Sequence, residues 1–416
     1  MSNPSAPPLD GLLVLDFTRV IAGPYLTQML GDLGADVIKI ESLDGDTYRG
    51  LGHARIRGGM TAQWMANNRN KRSVSIDLKD PEAKAAVLEL VKGADAFVHN
   101  MRPAALARLG LDYDALRAIR PQLVYAQATG FGSSGPYAGR PAVDDIVQGW
   151  GGVASLVSLH RDEPAMIPMA VNDLLCGLTL ANTVQAGLLR ARATGQGCFI
   201  ETPMFETVAT AVMNQHLNGH AFRDDPASEA AGYGYARMMS PHRKPVATAD
   251  GHIIHTLYNF RHWTDFFTEI GRQDLLDGPM MVDRYAAAAH VQDLYRILAE
   301  EILPTRTTAE WLEVLGRLDI PCAPVLGVAD LSDDPHLQAV GLFRDYEHPS
   351  QGPARDLRLP LESRDIETGP DRHPPELGEH TLDVLRELGI DEAKIKEMAA
   401  RGVLKSFERD PAAAAE

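Results

Sequence analysis

The sequence has little cysteine, no long apolar run and no excess of basic residues. Its three cysteines, Cys176, Cys198 and Cys322, are odd in number and far apart, which argues against a disulfide framework or a zinc site and fits reduced thiols in a cytoplasm. No apolar run approaches the roughly 18 residues that a membrane-spanning helix needs. The net charge of -16 argues against nucleic-acid binding, which needs a basic face. We therefore expect a cytoplasmic protein with no metal, membrane or nucleic-acid partner.

The first 200 residues alternate between short apolar runs and stretches with helical spacing. One helix start is readable at Asp80, which can cap, with Pro81 and Glu82 in the first turn. Strands that alternate with helices predict an α/β fold with a mostly parallel sheet. Ligands on such sheets bind beyond the carboxyl ends of the strands. The runs that predict strands are Leu12–Leu15, Val37–Ile40, Ser73–Asp77, Ala94–Val98 and Leu123–Ala126.

The length and the changes in composition along the chain predict more than one domain. A chain of 416 residues is longer than one hydrophobic core usually serves. We predict a large domain over residues 1–200, a linker over 201–245 and a smaller α+β domain over 246–330. Residues 331–416 are predicted to form a connector, rich in proline and charge, followed by a C-terminal return to the large domain.

One segment is strongly basic in this acidic chain. Residues 49–72 contain no Asp or Glu, although the whole chain holds 56 acids. The stretch could be a solvated loop face. Alternatively it could bind a ligand with several phosphates, since each charge-assisted hydrogen bond contributes about 1.5–3 kcal/mol. Its cations are Arg49, Arg55, Arg57, Arg69, Lys71 and Arg72.

Two further patterns carry little functional signal. Gly130–Gly135 matches G-x-G-x-x-G after a predicted strand, but Pro136 follows where a helix should open, which argues against dinucleotide binding. A tight loop close to a ligand is the better interpretation. His216 and His220 lack both the glutamate of a zinc-protease helix and a third ligand, so they do not indicate a metal.

Asp173 is a carboxylate among apolar neighbours at the start of a predicted helix. Asn172 or Asp173 could simply cap this helix. Alternatively, the helix dipole favours the ionised form of Asp173, and poor solvation leaves that carboxylate nucleophilic, with the small Gly177 leaving room nearby. The pattern leaves both interpretations open.

Several motifs match those of one protein family and run in order from about residue 9 to residue 404. They are Leu15–Pro24, Leu33–Glu41, Asn68–Ser73, Asn100–Pro103, Gly130–Gly132, Gly135–Tyr137, Gly139–Pro141 and Leu377–Thr381. In these motifs the chain resembles the class III CoA-transferases. That family also includes formyl-CoA transferase, carnitine CoA-transferases and α-methylacyl-CoA racemases.

The resemblance implies a Rossmann-like large domain built from both chain ends, a smaller domain between them, and a homodimer of interlocked subunits. It also implies that acyl-CoA binds as a substrate on the large domain and that no cofactor is bound permanently. By motif position, Arg19, Val20 and Ile21 would line the pantetheine. The residues around the nucleotide end would be Lys39, Arg72, Asn100, Met101 and Arg108, which agrees with the basic stretch.

The resemblance implies that Asp173 is the nucleophile. In the transferases this aspartate attacks the donor thioester to form an acyl-aspartyl anhydride, and CoA and the acceptor acid exchange through an aspartyl-CoA thioester. Many members carry glycine before it, where this chain has Asn172. The racemases add a histidine whose position is occupied here by Val143, so transfer is favoured over racemisation. A CoA-binding protein without catalysis is a third possibility, against which the retained aspartate argues.

The identity of the two acids is not readable from the sequence. Oxalate-using relatives carry a glycine run in a small-domain loop, whereas this chain has Gly251 alone between Ser240 and Glu269, so oxalate is not favoured. The acceptor is expected to be a small carboxylic acid. Gly132 is a candidate substrate contact, and Arg261 is either an anion clamp for the acceptor's distal carboxylate or a surface arginine packed on an aromatic ring.

Overall fold

The structure is a computed structural model that describes residues 6–52, 60–368 and 371–407. The chain divides into two compact units. The first unit comprises Met1–Ala154, Met166–Thr210 and His336–Glu416, and the second comprises Ser155–Ala165 and Ala211–Pro335. Within the described ranges, no helix has the length and apolar character needed to cross a membrane.

The strands of the described ranges form sheets of seven, three and two strands. In chain order the strands are β1 (Leu13–Phe17), β2 (Asp36–Glu41), β3 (Lys71–Ile76), β4 (Ala96–His99), β5 (Val124–Thr129), β6 (Cys198–Pro203), β7 (Val246–Ala247), β8 (His252–His255), β9 (Cys322–Pro324), β10 (Phe343–His348), β11 (Gly352–Leu357) and β12 (Leu404–Lys405).

The described ranges also contain α-helices. In chain order they are α1 (Ala22–Asp32), α2 (Ala62–Met65), α3 (Pro81–Gly93), α4 (Pro103–Leu109), α5 (Tyr113–Ile119), α6 (Asp144–Trp150), α7 (Val153–Val157), α8 (Val171–Thr194), α9 (Met204–His216), α10 (Pro226–Ala231), α11 (Phe260–Glu269), α12 (Gln273–Leu276), α13 (Arg284–Ala289), α14 (Val291–Ile297), α15 (Thr308–Arg317), α16 (Pro335–Ala339), α17 (Thr381–Glu387) and α18 (Glu392–Ala400). Short 3-10 helices lie at Thr47–Gly50, Ser158–His160, Asn218–Ala221, Pro279–Met281, Leu303–Thr305 and Ala329–Ser332, and a π-helix lies at Leu298–Ile302.

The seven-stranded sheet of the first unit has the order β12-β3-β2-β1-β4-β5-β6. Its neighbouring strands are parallel except for β12, which pairs antiparallel with β3. The mixed α/β fold with a mainly parallel central sheet is therefore confirmed. The strand order reverses between β1 and β4, and such a reversal opens a crevice at the carboxyl ends of the two strands.

Helices cover both faces of this sheet, and the sequence explains where α3 begins and why α8 can approach α1 closely. The Asp80 carboxylate accepts hydrogen bonds from the backbone N–H groups of Glu82 and Ala83, so α3 starts where the sequence predicts. On the other side α1 packs against α8. The approach is close at Gly177, where an added Cβ would lie 2.7 Å from the carbonyl oxygen of Ala22. The C-terminal segment returns to the sheet through α17, α18 and β12.

The segment that we predict to be a linker, residues 201–245, begins with regular structure. It holds the end of β6 and the whole of α9. Met204 and Val208 of α9 are buried and four residues apart, so this helix has one apolar face that packs on the protein. Beyond His216, the described part of this segment contains only the 3-10 helix at Asn218–Ala221 and α10.

The second unit has its own hydrophobic core. The antiparallel strands β7, β8 and β9 form its small sheet. Three aromatic residues of α11, namely Trp263, Phe266 and Phe267, are buried together with Trp311 of α15. A capping box between Thr307 and Glu310 fixes the start of α15.

Candidate active site

A cavity of about 430 Å³ lies at the crevice between β1 and β4 in the first unit. Its walls come from the loops that follow β1, β4 and β5, together with the first turns of α1, α4 and α8. Five residues predicted from the sequence line it together: Arg19, Val20, Asn100, Met101 and Asp173. The other lining residues are Ala22, Arg102, Ala105, Ala128, Thr129, Gly130, Ala142, Val143 and Met204.

The loop after β1 is held rigidly by side chains from elsewhere. The amide of Asn100 accepts a hydrogen bond from the backbone N–H of Arg19 (2.9 Å) and donates one to its carbonyl oxygen (2.7 Å). The backbone N–H of Val20 donates to the carboxylate of Asp46 (3.1 Å). Val20 has φ of 69°, a left-handed conformation that is unfavourable for a β-branched residue. The loop therefore carries backbone strain that its tertiary hydrogen bonds maintain.

A buried charge network lies beneath this loop. Asp16, Lys39 and Lys71 have fully buried side chains, and the ammonium of Lys71 is 3.1 Å from the carboxylate of Asp16. Burial alone would raise the pKa of Asp16, but the two lysines and the hydroxyls of two threonines lower it to about 2. Burial lowers the pKa of Lys71 to about 7 against the pull of Asp16. The network connects the end of β1 to β2, its neighbour in the sheet, and to β3, the next strand along.

Lys39 belongs to this network and does not line the cavity. Its ammonium donates to the carbonyl oxygen of Thr18 (2.7 Å) and lies 3.5 Å from the carboxylate of Asp46. Because the side chain is fully enclosed, the contact with a bound nucleotide expected from motif position has no support in the structure. The side chain instead positions the loop that carries Arg19 and Val20.

The basic stretch is neutralised by acids that lie outside it, both nearby and distant in the sequence. Arg49 pairs with Glu41 (2.8 Å), and Arg69 pairs with both Asp32 and Asp356. Arg55 and Arg57 lie outside the described residues. The described cations of this stretch form internal ion pairs, so neither the solvated loop face nor the open phosphate-binding patch describes them.

Arg72 shows the same behaviour. Its guanidinium pairs with Asp36 (2.5 Å) and with Glu387 (2.7 Å), a residue of α17. These two ion pairs therefore link β2 to α17, which belongs to the C-terminal segment that returns to the sheet. To reach a phosphate Arg72 would have to give up one of these carboxylates, and the cavity beside Asp173 does not include it.

Asp173 lies in the first turn of α8 and does not cap it. The carboxylate of Asp144 provides the cap, since it accepts hydrogen bonds from the backbone N–H groups of Asn172 (2.6 Å) and Asp173 (3.1 Å). The side chain of Asn172 is buried and donates to the carbonyl oxygen of Asp144 (3.2 Å). Capping by Asn172 or Asp173 was therefore wrong, and within the described ranges the Asp173 carboxylate has no hydrogen-bond or ion-pair partner.

The environment of Asp173 opposes its ionisation. Burial raises its pKa from 3.8 to about 7, with further contributions from the negative charges of Asp144 and Asp145. The phenol of Tyr48 is close enough for the charge of Asp173 to raise the pKa of Tyr48, although burial is the larger cause. Asp173 is also the one ionisable acid among the described residues that line the cavity. An ionised carboxylate held there without hydrogen bonds is a reactive nucleophile.

Besides Lys39 and Arg72, four predicted residues do not line this cavity. Ile21 immediately precedes α1, where Ala22 takes the lining position. Arg108 is exposed in the last turn of α4. The backbone N–H of Gly132 already donates to the carboxylate of Glu206 (2.8 Å). Arg261, in the second unit, has a side chain that is 78% exposed and pairs with Asp265 (3.0 Å).

The structure adds residues that the sequence reading missed. Arg102 is exposed at the start of α4 and lines both the cavity beside Asp173 and a neighbouring cavity of about 410 Å³. Arg140 lines the second of these, with its guanidinium 4.6 Å from the ring centroid of Tyr137. Two sequence signals were available. Arg102 directly follows the Asn100–Met101 motif, and the adjacent acids Asp144 and Asp145 are the residues whose charges act on Asp173.

The comparison with known proteins shows the family of this chain. A sequence profile of CoA-transferase family III matches residues 9–381. The chain is 33% identical over 388 residues to the succinate–glutarate CoA-transferase of Agrobacterium fabrum, an alignment that covers 92% of this chain and 96% of that protein. The chain belongs to CoA-transferase family III. It is also 28% identical over 403 residues to human succinyl-CoA:glutarate CoA-transferase, covering 96% of this chain and 91% of the human protein.

Solved structures of related sequences have the same fold. A CaiB/BaiF family protein from Brucella suis is 32% identical, with a TM-score of 0.75 over 92% of this chain and 99% of that one. Rv3272 from Mycobacterium tuberculosis is 29% identical, with a TM-score of 0.78 over 91% of this chain and 99% of that one. The prediction that this protein is a CoA-transferase is confirmed, and CoA thioesters are its substrates.

Proposed function

We propose that this family III CoA-transferase moves CoA between two carboxylic acids through covalent intermediates on Asp173. The observation that carries the proposal is the unpartnered carboxylate of Asp173 in the cavity at the β1–β4 crevice. The ionised carboxylate attacks the thioester carbonyl of the donor, the carbon–sulfur bond breaks, and CoA leaves as a thiolate. An acyl-aspartyl anhydride remains on the enzyme.

The remaining steps return the carboxylate unchanged. The thiolate attacks the aspartyl carbonyl of the anhydride, which releases the donor acid and leaves an aspartyl-CoA thioester. The acceptor acid attacks this thioester, and the thiolate that leaves then attacks the acyl carbonyl of the new anhydride. The product acyl-CoA departs and Asp173 is again a free carboxylate. Each step is an acyl transfer that needs no external oxidant or reductant.

We propose that CoA binds along the loops after β1 and β4. Arg19, Val20, Asn100 and Met101 line the same cavity as Asp173. Exposed Arg19 and Arg102 supply positive charge at this wall, and neither has an acid partner within the described ranges. In a protein with a net charge of -16, these local cations are suited to the phosphates of CoA. In this proposal Arg19 and Arg102 take the phosphate-binding role expected of Lys39 and Arg72, whose side chains form internal contacts instead.

Racemisation is the competing reaction within the family. A racemase needs a second base opposite the aspartate, and Val143 stands at that place, lining the same cavity with 62% of its surface exposed. A valine cannot exchange a proton. This supports transfer over racemisation for the present chain.

The named relatives support a dicarboxylic substrate. Two of them are named for succinate or succinyl-CoA together with glutarate. We propose succinyl-CoA as donor and a small carboxylic acid as acceptor, in a cytoplasmic homodimer. The homodimer is what the family resemblance implies.

The proposal is tested by measuring succinyl-CoA consumption with a panel of short mono- and dicarboxylic acids, with mass spectrometry of the new thioesters. We expect acceptor-dependent transfer that Asp173→Asn abolishes while CoA binding persists, because the substitution removes the nucleophile and leaves the CoA contacts intact. Asp114→Asn, which removes an exposed carboxylate of α5 in the same unit, is the matched control. Transfer by Asp173→Asn within about tenfold of wild type, or about 1.4 kcal/mol in the barrier, would refute the proposal.

A further inference from the structure

The second unit contains a cavity of about 330 Å³ that combines aromatic rings with cations. Four aromatic side chains line it, together with the guanidinium groups of Arg237 and Arg284, and no carboxylate is among its described lining residues. The aromatic residues are Tyr235, Tyr258, Phe260 and Trp263. This combination stands out in a chain with 56 acids and 40 basic residues.

Arg237 provides this cavity with a cation whose guanidinium is held by hydrogen bonds. Its Nε donates to the hydroxyl oxygen of Tyr295 (2.9 Å), and its Nη2 donates to the carbonyl oxygen of Leu257 (2.9 Å). The guanidinium lies 5.2 Å from the ring centroid of Tyr258. Because Tyr295 and Leu257 are both buried in the core of this unit, the half-buried guanidinium has a fixed orientation.

All partners of Arg237 within the described ranges are electrically neutral. The buried arginines of the first unit behave differently, since Arg49 and Arg69 each pair with a carboxylate. A cation that is partly withdrawn from water without a counter-ion is unfavourable, and an anion that enters the cavity removes this cost. The Nη1 group, which no described residue engages, is free to donate to such an anion.

We propose that this cavity binds a small organic carboxylate with a flat or apolar body. A guanidinium matches a carboxylate through two parallel hydrogen bonds, while the rings of Tyr258 and Trp263 provide an apolar surface for the rest of the molecule. The volume is at the lower end of the range for ligand pockets, which fits an acid of the size of phenylacetate. The lining residues of this cavity all belong to the second unit and do not include Asp173, and the binding of an acid there does not require the proposed transfer reaction.

Calorimetric titration with phenylacetate tests this proposal. The protein used is the full chain with Asp173→Asn, so that no turnover occurs and failure of the transfer mechanism cannot affect the outcome. We expect saturable binding of phenylacetate and at least tenfold weaker binding of phenylacetamide, the neutral analogue. Trp263, which is 4% exposed and lines the cavity, should report the same event through its fluorescence.

Substitutions separate this site from a general charge effect. Arg237→Gln should weaken phenylacetate binding at least tenfold, and Arg237→Lys should recover part of the loss. Arg317→Gln is the matched control, because Arg317 of α15 is exposed in the same unit and pairs with Glu269. If Arg237→Gln does not fold, as judged by its circular dichroism, Arg284→Gln takes its place with an expected loss of threefold or more.

Three results would overturn the proposal: no saturable binding, equal binding of the acid and the amide, or equal losses in Arg237→Gln and Arg317→Gln. The role of the bound acid is read with active wild-type protein and a donor acyl-CoA. An acid that acts as a substrate is recovered as its CoA thioester, and an acid that acts as an effector is recovered unchanged. In the first case Arg237→Gln should abolish formation of the new CoA thioester. In the second case it should abolish the change in transfer rate that the acid causes.

Discussion

Replacing Asp173 by asparagine should make the protein more stable while it abolishes transfer. In the folded chain the pKa of Asp173 is about 7, because burial and the charges of Asp144 and Asp145 oppose ionisation. In the unfolded chain the same carboxyl has its ordinary pKa of 3.8. Between these values the folded state holds a proton that the unfolded state releases, so the stability of the wild type falls as the pH rises from about 4 to about 7.

The magnitude follows from the difference between the two pKa values. A rise from 3.8 to about 7 corresponds to about 4 kcal/mol at pH 8. Since the side chain keeps some contact with water, we expect about 2–3 kcal/mol of this in practice. Asparagine has nearly the same shape and carries no charge, so Asp173→Asn should gain this amount at pH 8 and almost nothing at pH 4.

Urea denaturation of both proteins at pH 4, 6 and 8, followed by circular dichroism, measures the effect. Asp114→Asn is the control, because its exposed carboxylate should change the free energy of unfolding by less than about 1 kcal/mol at every pH. An Asp173→Asn variant that is equal to or less stable than wild type at pH 8 would refute the reasoning. It would mean that Asp173 is well solvated and not a poorly stabilised nucleophile.

Three further outcomes follow from the same contacts. Because the ionised form of Asp173 attacks, kcat/KM should rise about tenfold per pH unit below its pKa of about 7 and level off above it, and Asp145→Asn should move the inflection to lower pH. In calorimetric titrations, Arg102→Gln should weaken CoA binding about tenfold, which is about 1.4 kcal/mol. Arg72→Gln should leave the affinity for CoA within about threefold of wild type. If Arg72→Gln had the larger effect, the basic stretch would be the phosphate site after all. Lys71→Met should lower the free energy of unfolding by about 3–5 kcal/mol, because it leaves the buried carboxylate of Asp16 without its nearest cation; a loss below about 1 kcal/mol would show that the network is not strongly coupled.

Local signals predicted most of the central sheet and one wall of the site. Five strands of the central sheet, β1 to β5, coincide with the short runs that predict strands, whereas β6 and β12 were not predicted. The Asp80–Pro81 pair marks the start of α3, because both kinds of signal depend on neighbouring residues alone. Asn100 and Arg19 meet because parallel strands bring their carboxyl ends to one edge. The position of Asp173 in the cavity follows from α8 packing on α1, for which Gly177 was the available sign.

Tertiary pairing explains what the sequence could not predict. The partners of Arg72 and Arg69 include Glu387 and Asp356, which lie hundreds of residues away in the chain, so an acid-free stretch looked like open positive charge. The cap of α8 is likewise supplied by Asp144 from a different helix. Local sequence windows contain no trace of such contacts.

The central claim, covalent catalysis by Asp173, is tested most directly by trapping the first intermediate. The enzyme is incubated with the donor acyl-CoA alone, since the first half-reaction needs no acceptor. Hydroxylamine is then added, and the peptide that contains Asp173 is weighed by mass spectrometry. We predict a hydroxamate on Asp173 in wild type and none in Asp173→Asn. An unmodified Asp173 in an enzyme that still transfers CoA, or exchange of solvent deuterium into the α-position of a 2-methylacyl-CoA without any adduct, would contradict the account.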